Sequence, residues 1–166
     1  MAETAQARDT GAGVETLLSA LDVSPDSPTA FPVSQLETLD GDVRSLGRSG
    51  SPTIINFWAS WCEPCRHELK DLSDRPTEGS SSSVRILAVN VGQDTGTIRA
   101  FLREHELNLT VIPGSPGKKL YEDLFAGSFV QLPRTVFLDR DGRIVARKNG
   151  AINFGTESFR KVLRKL

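Results

Sequence analysis

Cys62 and Cys65 are the only cysteines in this chain of 166 residues, and only Glu63 and Pro64 separate them. Two thiols at that spacing have three plain uses: a disulfide staple, half of a metal site, or a dithiol reagent that exchanges with other disulfides. The flanking sequence bears on the choice. Thr53–Ala59 (TIINFWA) is apolar apart from Thr53 and Asn56, with β-branched residues, and predicts a strand buried on both faces. Pro64 to about Leu72 predicts a helix, with Leu69 and Leu72 turned inward. A strand that runs into a helix puts Cys62 at the helix N-terminus, where unpaired N–H groups and the dipole favour an anion. A thiolate is such an anion, so the Cys62 thiol is expected below the free value of about 8.5. Pro64 suits the first turn, where its missing N–H would have had no partner. Cys65 then curls back within the same turn. The expected result is one exposed, activated thiol with a more buried thiol behind it, as exchange through a mixed disulfide requires.

The other uses fare worse. Structural zinc takes four ligands, and only Cys62, Cys65, His67 and His105 are soft candidates, with no second CxxC. No metal is therefore expected. A staple across so short a loop adds little chain-entropy stabilisation. A domain of this size buries roughly 70% of its unfolded surface and folds without one. Direct reaction of Cys62 with a peroxide needs a pocket that nothing in the sequence specifies. Net charge is −1, so no basic field exists to attract nucleic acid.

The elements that must position the pair alternate. Val14, Leu17, Leu18 and Leu21 make one helical stripe, so a short helix is expected over 13–21. Ser24–Pro32 carries three prolines and reads as a linker, giving a tail over 1–30 and a domain over 31–166. Asp40-Gly41 between β-prone runs predicts a hairpin over 33–46 with a tight type I′ turn. Thr77–Ser83 reads as a surface loop. After the cysteine helix come a strand over Val84–Val91, and a helix with Ile98, Phe101, Leu102 and His105 on one face. A strand over Leu109–Pro113 and a helix over Gly117–Phe125 follow. Arg134–Gly150 reads as two strands about an Asp141-Gly142 turn. Phe159, Val162, Leu163 and Leu166 mark a closing helix. Alternation of this kind implies an α/β fold around a mixed sheet. No apolar run approaches the roughly 18 residues of a spanning helix. The N-terminal residues lack a signal peptide's pattern. They fit a cytosolic chain or the mature part of an exported one.

With INFWASWCEPCRHE after a buried strand, ILAVNVGQD further on, and LPRTVFLDRDGRIV near the end, the chain resembles the thioredoxin superfamily. It is most similar to the extracytoplasmic TlpA/ResA/CcmG-type thiol–disulfide oxidoreductases. The resemblance covers about residues 31–166. It implies a thioredoxin-like fold with an N-terminal hairpin and a strand–helix–strand insertion from Val84 to Pro113. It further implies Cys62 as attacking thiol, Cys65 as resolving thiol, and Pro133 as a cis-proline that opens the Leu132 backbone to an extended substrate. No cofactor is implied beyond the Cys62–Cys65 disulfide. The implied partners are disulfide-bearing exported proteins, with apocytochrome c as a candidate, and a membrane thiol–disulfide electron donor. The implied location is the periplasm or the outer face of the membrane.

Two departures refine this. Cytosolic thioredoxins carry a buried Asp where this chain has Asn56, which takes no proton. Many TlpA-like proteins carry a Glu three residues after the second Cys, here Glu68. That residue is either a solvated helix acid or the manager of the Cys65 proton. Arg134 stands where the family often has Thr. Trp61 is read as an exposed contact for partners, and Trp58 as core. Glu63 and Pro64 complete the expected substrate surface, with Glu63 a solvated loop acid that raises the Cys62 pKa slightly. A disulfide donor of the same fold, or a binding module without catalysis, are the competing functions.

Overall fold

The computed structural model describes residues 18–19, 24–46, 50–75, 84–126 and 129–165. Along the chain the elements are β1 (Ser24–Ala30), β2 (Gln35–Glu37), β3 (Val43–Ser45), β4 (Thr53–Trp58), α1 (Glu63–Ser73), β5 (Arg85–Asn90), α2 (Thr95–Glu104), β6 (Val111–Ile112), α3 (Gly114–Phe125), β7 (Arg134–Leu138), β8 (Arg143–Asn149) and α4 (Glu157–Lys165). Six strands form one sheet in the order β1-β8-β7-β4-β5-β6, and β2 and β3 form a separate pair. β4 runs parallel to β5 and antiparallel to β7. The sheet is therefore mixed, and β4 lies inside it.

The reason is in the composition of β4. All six of its residues are buried. Fully burying each large apolar side chain among them contributes about 1.5–3 kcal/mol, so this strand cannot sit at an edge. Ile55 and Phe57 enter one cluster with Val89, Tyr121 and Val136. Ile54 enters another with Leu72, Phe137 and Phe159. The alternation follows from the two-residue period of a strand. Trp58 ends the strand fully buried beside Phe101, ring centroids 5.1 Å apart.

Several elements differ from expectation. Ser24–Pro32, expected as a linker, holds edge strand β1, antiparallel to β8 with a register shift between Pro25 and Thr29. Prolines read as linker residues, but an edge strand also tolerates them because one of its sides has no ladder to complete. The Asp26–Arg147 ion pair, at 2.6 Å, ties the strand down. The hairpin forms as expected, but its turn is not type I′. Gly41 alone takes positive φ, +88°, and its N–H donates to Thr38 O at 3.0 Å. That is a tight turn followed by a left-handed glycine, the three-residue alternative. α3 starts at Gly114 rather than Gly117. The glycines there serve close approach, not termination: a Cβ on Gly117 would lie 1.9 Å from Asn90 O, and one on Gly114 2.0 Å from Gln93 O.

Of the helix expected over 13–21, Leu18 and Ser19 are described. Both are helical, and Leu18 packs with Ile54, Phe137 and Phe154. The rest of that helix, the loop over 77–83 and Leu166 lie outside the described residues. Phe159 and Val162 face the core as expected.

Candidate active site

Beyond Trp58 the chain turns through Ala59, Ser60 and Trp61 and enters α1. Cys62 is its N-cap, in extended conformation (φ −87°, ψ 104°), and Pro64 lies in the first turn. Cys62 and Cys65 are joined by a disulfide with their Cα atoms 5.3 Å apart. The expected contrast in exposure is narrower than drawn from the sequence. Cys62 is 4% exposed and Cys65 0%. In the disulfide each sulfur covers the other, and Trp58, Leu69, Ile98 and Phe101 pack behind the pair. Around this spot Trp61, 61% exposed, and Glu63 and Pro64 are open to solvent. Glu63 is not a loop acid but the first helical residue, paired with Arg66 at 3.2 Å. An acid is favourable at that helix end.

The turn before Cys62 is held by a residue that sequence reading passed over. Gln93 Oε1 accepts from Ser60 N at 2.7 Å, and Gln93 Nε2 donates to Ser60 Oγ at 2.6 Å. Gln93 is held in turn by buried Asn90, through Asn90 Nδ2 to Gln93 Oε1 (2.9 Å) and Gln93 N to Asn90 Oδ1 (3.0 Å). The only signal in the sequence is the run of polar residues directly after an apolar strand.

Glu68 is no solvated acid. It is 1% exposed, on the inner face of α1 with Leu69 and Leu72. Its Oε2 accepts from Asn56 Nδ2 at 2.9 Å and its Oε1 from Ile152 N at 2.6 Å. Asn56 Nδ2 also donates to Thr135 Oγ1 at 3.1 Å, while Asn56 Oδ1 is buried without a hydrogen-bond partner. Burial pushes the Glu68 carboxyl up to about 7. The Ile152 and Asn56 donors oppose this, and the nearby Asp71 charge adds to it. Glu68 borders a groove of about 490 Å³ with Pro64, His67, Asp71 and Asn153.

On the other side of the site, the Leu132–Pro133 peptide is cis, as the family resemblance implies. Leu132 is half-buried and packs against both the cluster holding the cysteines and the one holding Phe57. Arg134 opens β7 with its guanidinium 4.4 Å from the Phe125 ring centroid and 5.3 Å from that of Tyr121, and bonded to Gln131 Oε1 at 2.9 Å. Its charge is thus partly spent on two rings and an amide. Among the described residues no cluster of side chains has the makings of a metal site.

A disulfide of CxxC spacing at the start of a helix, delivered by the central strand of a thioredoxin-like sheet, marks a thiol–disulfide oxidoreductase. The comparisons agree. The chain belongs to the AhpC/TSA family, whose model matches residues 27–147. It is 27% identical over 126 residues to sporulation thiol-disulfide oxidoreductase A of Bacillus subtilis, covering 74% of each chain. It is 30% identical over 110 residues to thiol-disulfide oxidoreductase ResA of the same organism, covering 66% of this chain and 58% of that one. A putative thiol:disulfide interchange protein DsbE from Chlorobium tepidum superposes with a TM-score of 0.68 at 25% identity. That match covers 86% of this chain and 99% of the other.

Proposed function

We propose that the protein reduces disulfides of exported proteins, with Cys62 as the attacking thiol and Cys65 as the resolving one. The observation that carries this is the placement of the pair: Cys62 stands at the N-cap position, where the free N–H groups and dipole of the helix favour a thiolate, while Cys65 lies fully buried in the first turn behind it. The Cys62 thiolate attacks one substrate sulfur, the substrate S–S bond breaks, and the leaving sulfur takes a proton. The Cys65 thiolate then attacks Cys62 in the mixed disulfide, frees the second substrate thiol and forms the Cys62–Cys65 bond. Two electrons pass to the substrate. Glu68, one helical turn beyond Cys65 and with a carboxyl near 7, takes the Cys65 proton. Trp61, Glu63, Pro64 and the half-buried Leu132 form the surface the substrate meets, while Pro133, expected on that surface, is buried and serves through its cis bond, with the backbone at Leu132 pairing to an extended segment.

The resemblance to the TlpA/ResA/CcmG branch supports the finer points. Apocytochrome c is the substrate candidate, a membrane dithiol carrier supplies electrons, and the site of action is outside the cytoplasm. No helix among the described residues is long and apolar enough to cross a membrane. The disulfide itself is the only redox group the reaction needs.

Trapping tests the assignment. Cys65→Ser is expected to hold substrate covalently through Cys62; capture through Cys65 in Cys62→Ser instead would reverse the roles. Equilibration with glutathione tests the direction. A strongly reducing potential supports the reductase, and one above the glutathione couple makes the protein a disulfide donor. Failure of the dithiol form to reduce insulin would leave only a binding module.

A further inference from the structure

Tyr121 is 1% exposed, yet its hydroxyl reaches the main chain beside the site. It accepts from Gln131 N at 2.8 Å and donates to Gln131 O at 3.0 Å. One hydroxyl has one proton to give and lone pairs to accept, so a single side chain occupies both main-chain groups of a single residue. That residue precedes Leu132. The Gln131 side chain is tied as well, through Oε1 to Arg134, whose guanidinium lies over the Tyr121 and Phe125 rings. The ring of Tyr121 is fixed from behind, edge-on to Phe57 of the central strand at 5.7 Å. A rigid path thus runs from β4, through Tyr121, to the segment that carries Leu132. The stretch ahead of it is left outward: Phe129 is 82% exposed and Val130 41%.

Stability alone explains a satisfied hydroxyl. It does not explain why both hydrogen bonds converge on the residue next to the proposed pairing point. With its N–H and C=O both taken, Gln131 cannot join a ladder with an incoming chain, which leaves Leu132 as the pairing point beside the cis-proline. We propose that Tyr121 is a positioning residue for substrate. Its hydroxyl fixes the register at which an extended polypeptide meets the segment Phe129–Leu132, and so where the substrate disulfide stands over Cys62. The inference rests on the reading that the protein reduces polypeptide disulfides.

Tyr121→Phe keeps the ring and removes both bonds. The probe is a short synthetic peptide with one intramolecular disulfide, set against oxidised dithiothreitol, which has no chain to align. For Tyr121→Phe, KM for the peptide is expected to rise roughly tenfold, the order that two ordinary hydrogen bonds contribute. The rate with oxidised dithiothreitol and the equilibrium with glutathione stay as in wild type. Exchange of the Gln131 amide with solvent deuterium quickens, while amides in the middle of α3 keep their protection. An unchanged peptide KM overturns the inference, and so does an equal slowing with both oxidants, because a merely structural role predicts that. A wild-type dithiol that reduces oxidised dithiothreitol but not the peptide overturns both this inference and the reading beneath it. Should Tyr121→Phe fold poorly, wild type supplies the second arm with peptides N-methylated at successive backbone positions: methylation at the one position that pairs with Leu132 is expected to raise KM, and a KM that is the same wherever the methyl group sits overturns the inference.

Discussion

The disulfide and the Glu68 carboxyl lie one turn apart on the same helix and are held in opposite ways. The cysteines are bonded to each other across three positions of sequence. Glu68 is held by Asn56, twelve residues before it, and by Ile152, eighty-four after it. The reagent is thus a local construction, and the acid beside it is a product of the whole fold. A local feature tolerates disturbance elsewhere. A buried acid held only by distant donors answers to every element that supplies one, and its proton affinity reports on the fold itself.

The largest expected effect tests the acid. In the unfolded chain Glu68 loses its proton near 4.5, and in the folded chain it keeps it to about 7. Between those values the folded state binds the extra proton, so stability falls as pH rises through the window and levels off above it. The shift corresponds to roughly 3 kcal/mol. Urea unfolding of wild type and Glu68→Gln across pH 4 to 8 should show this slope in the first and its loss in the second. Equal pH dependence would place the carboxyl in solvent contact and break the contrast. The pH profile of Cys65 alkylation in the reduced form is expected to shift in the same variant, and an unshifted profile removes Glu68 from the mechanism.

Gln93→Ala tests the local side. It strips Ser60 N and Asn90 Nδ2 of their acceptor, and about 1–2 kcal/mol of stability should go with it. The turn before Cys62 loosens, so exchange with dithiothreitol slows. The pH slope assigned to Glu68 should survive, since among the described residues no side-chain hydrogen bond joins the two networks. The smallest effect belongs to Trp61→Ala. An open side chain contributes little to folding, so stability should stay within about 0.5 kcal/mol of wild type. Only the KM for protein disulfides is expected to rise.

The same contrast decides what the sequence made legible. CxxC between a buried strand and a helix is contiguous, so the site, the order of strands and helices after the hairpin, and the fold family could be read from it. Glu68 was visible as a candidate because it shares the helix, but its burial depends on Ile152, which no local pattern links to it. Gln93 and Tyr121 escaped notice because their partners, Ser60 and Gln131, become neighbours only when the sheet forms. β1 reads as a linker because proline marks both a linker and an edge strand, and only pairing with β8 separates them. Gly114 and Gly117 look like helix breakers until Asn90 and Gln93 are seen pressed against them.

That edge strand has a consequence under the proposed function, in which the protein meets extended chains. Any open sheet margin invites an unfolded client to add a strand in the wrong place, and then to recruit others. β1 has prolines at two of its seven positions, where no N–H is on offer. The opposite margin, β6, is two residues long, and the hairpin reaches over to it through Leu39 N to Val111 O at 2.7 Å. Both rims are therefore poor templates. In the proposed reaction a client chain docks beside the disulfide instead, and its stay ends when the second thiol is freed.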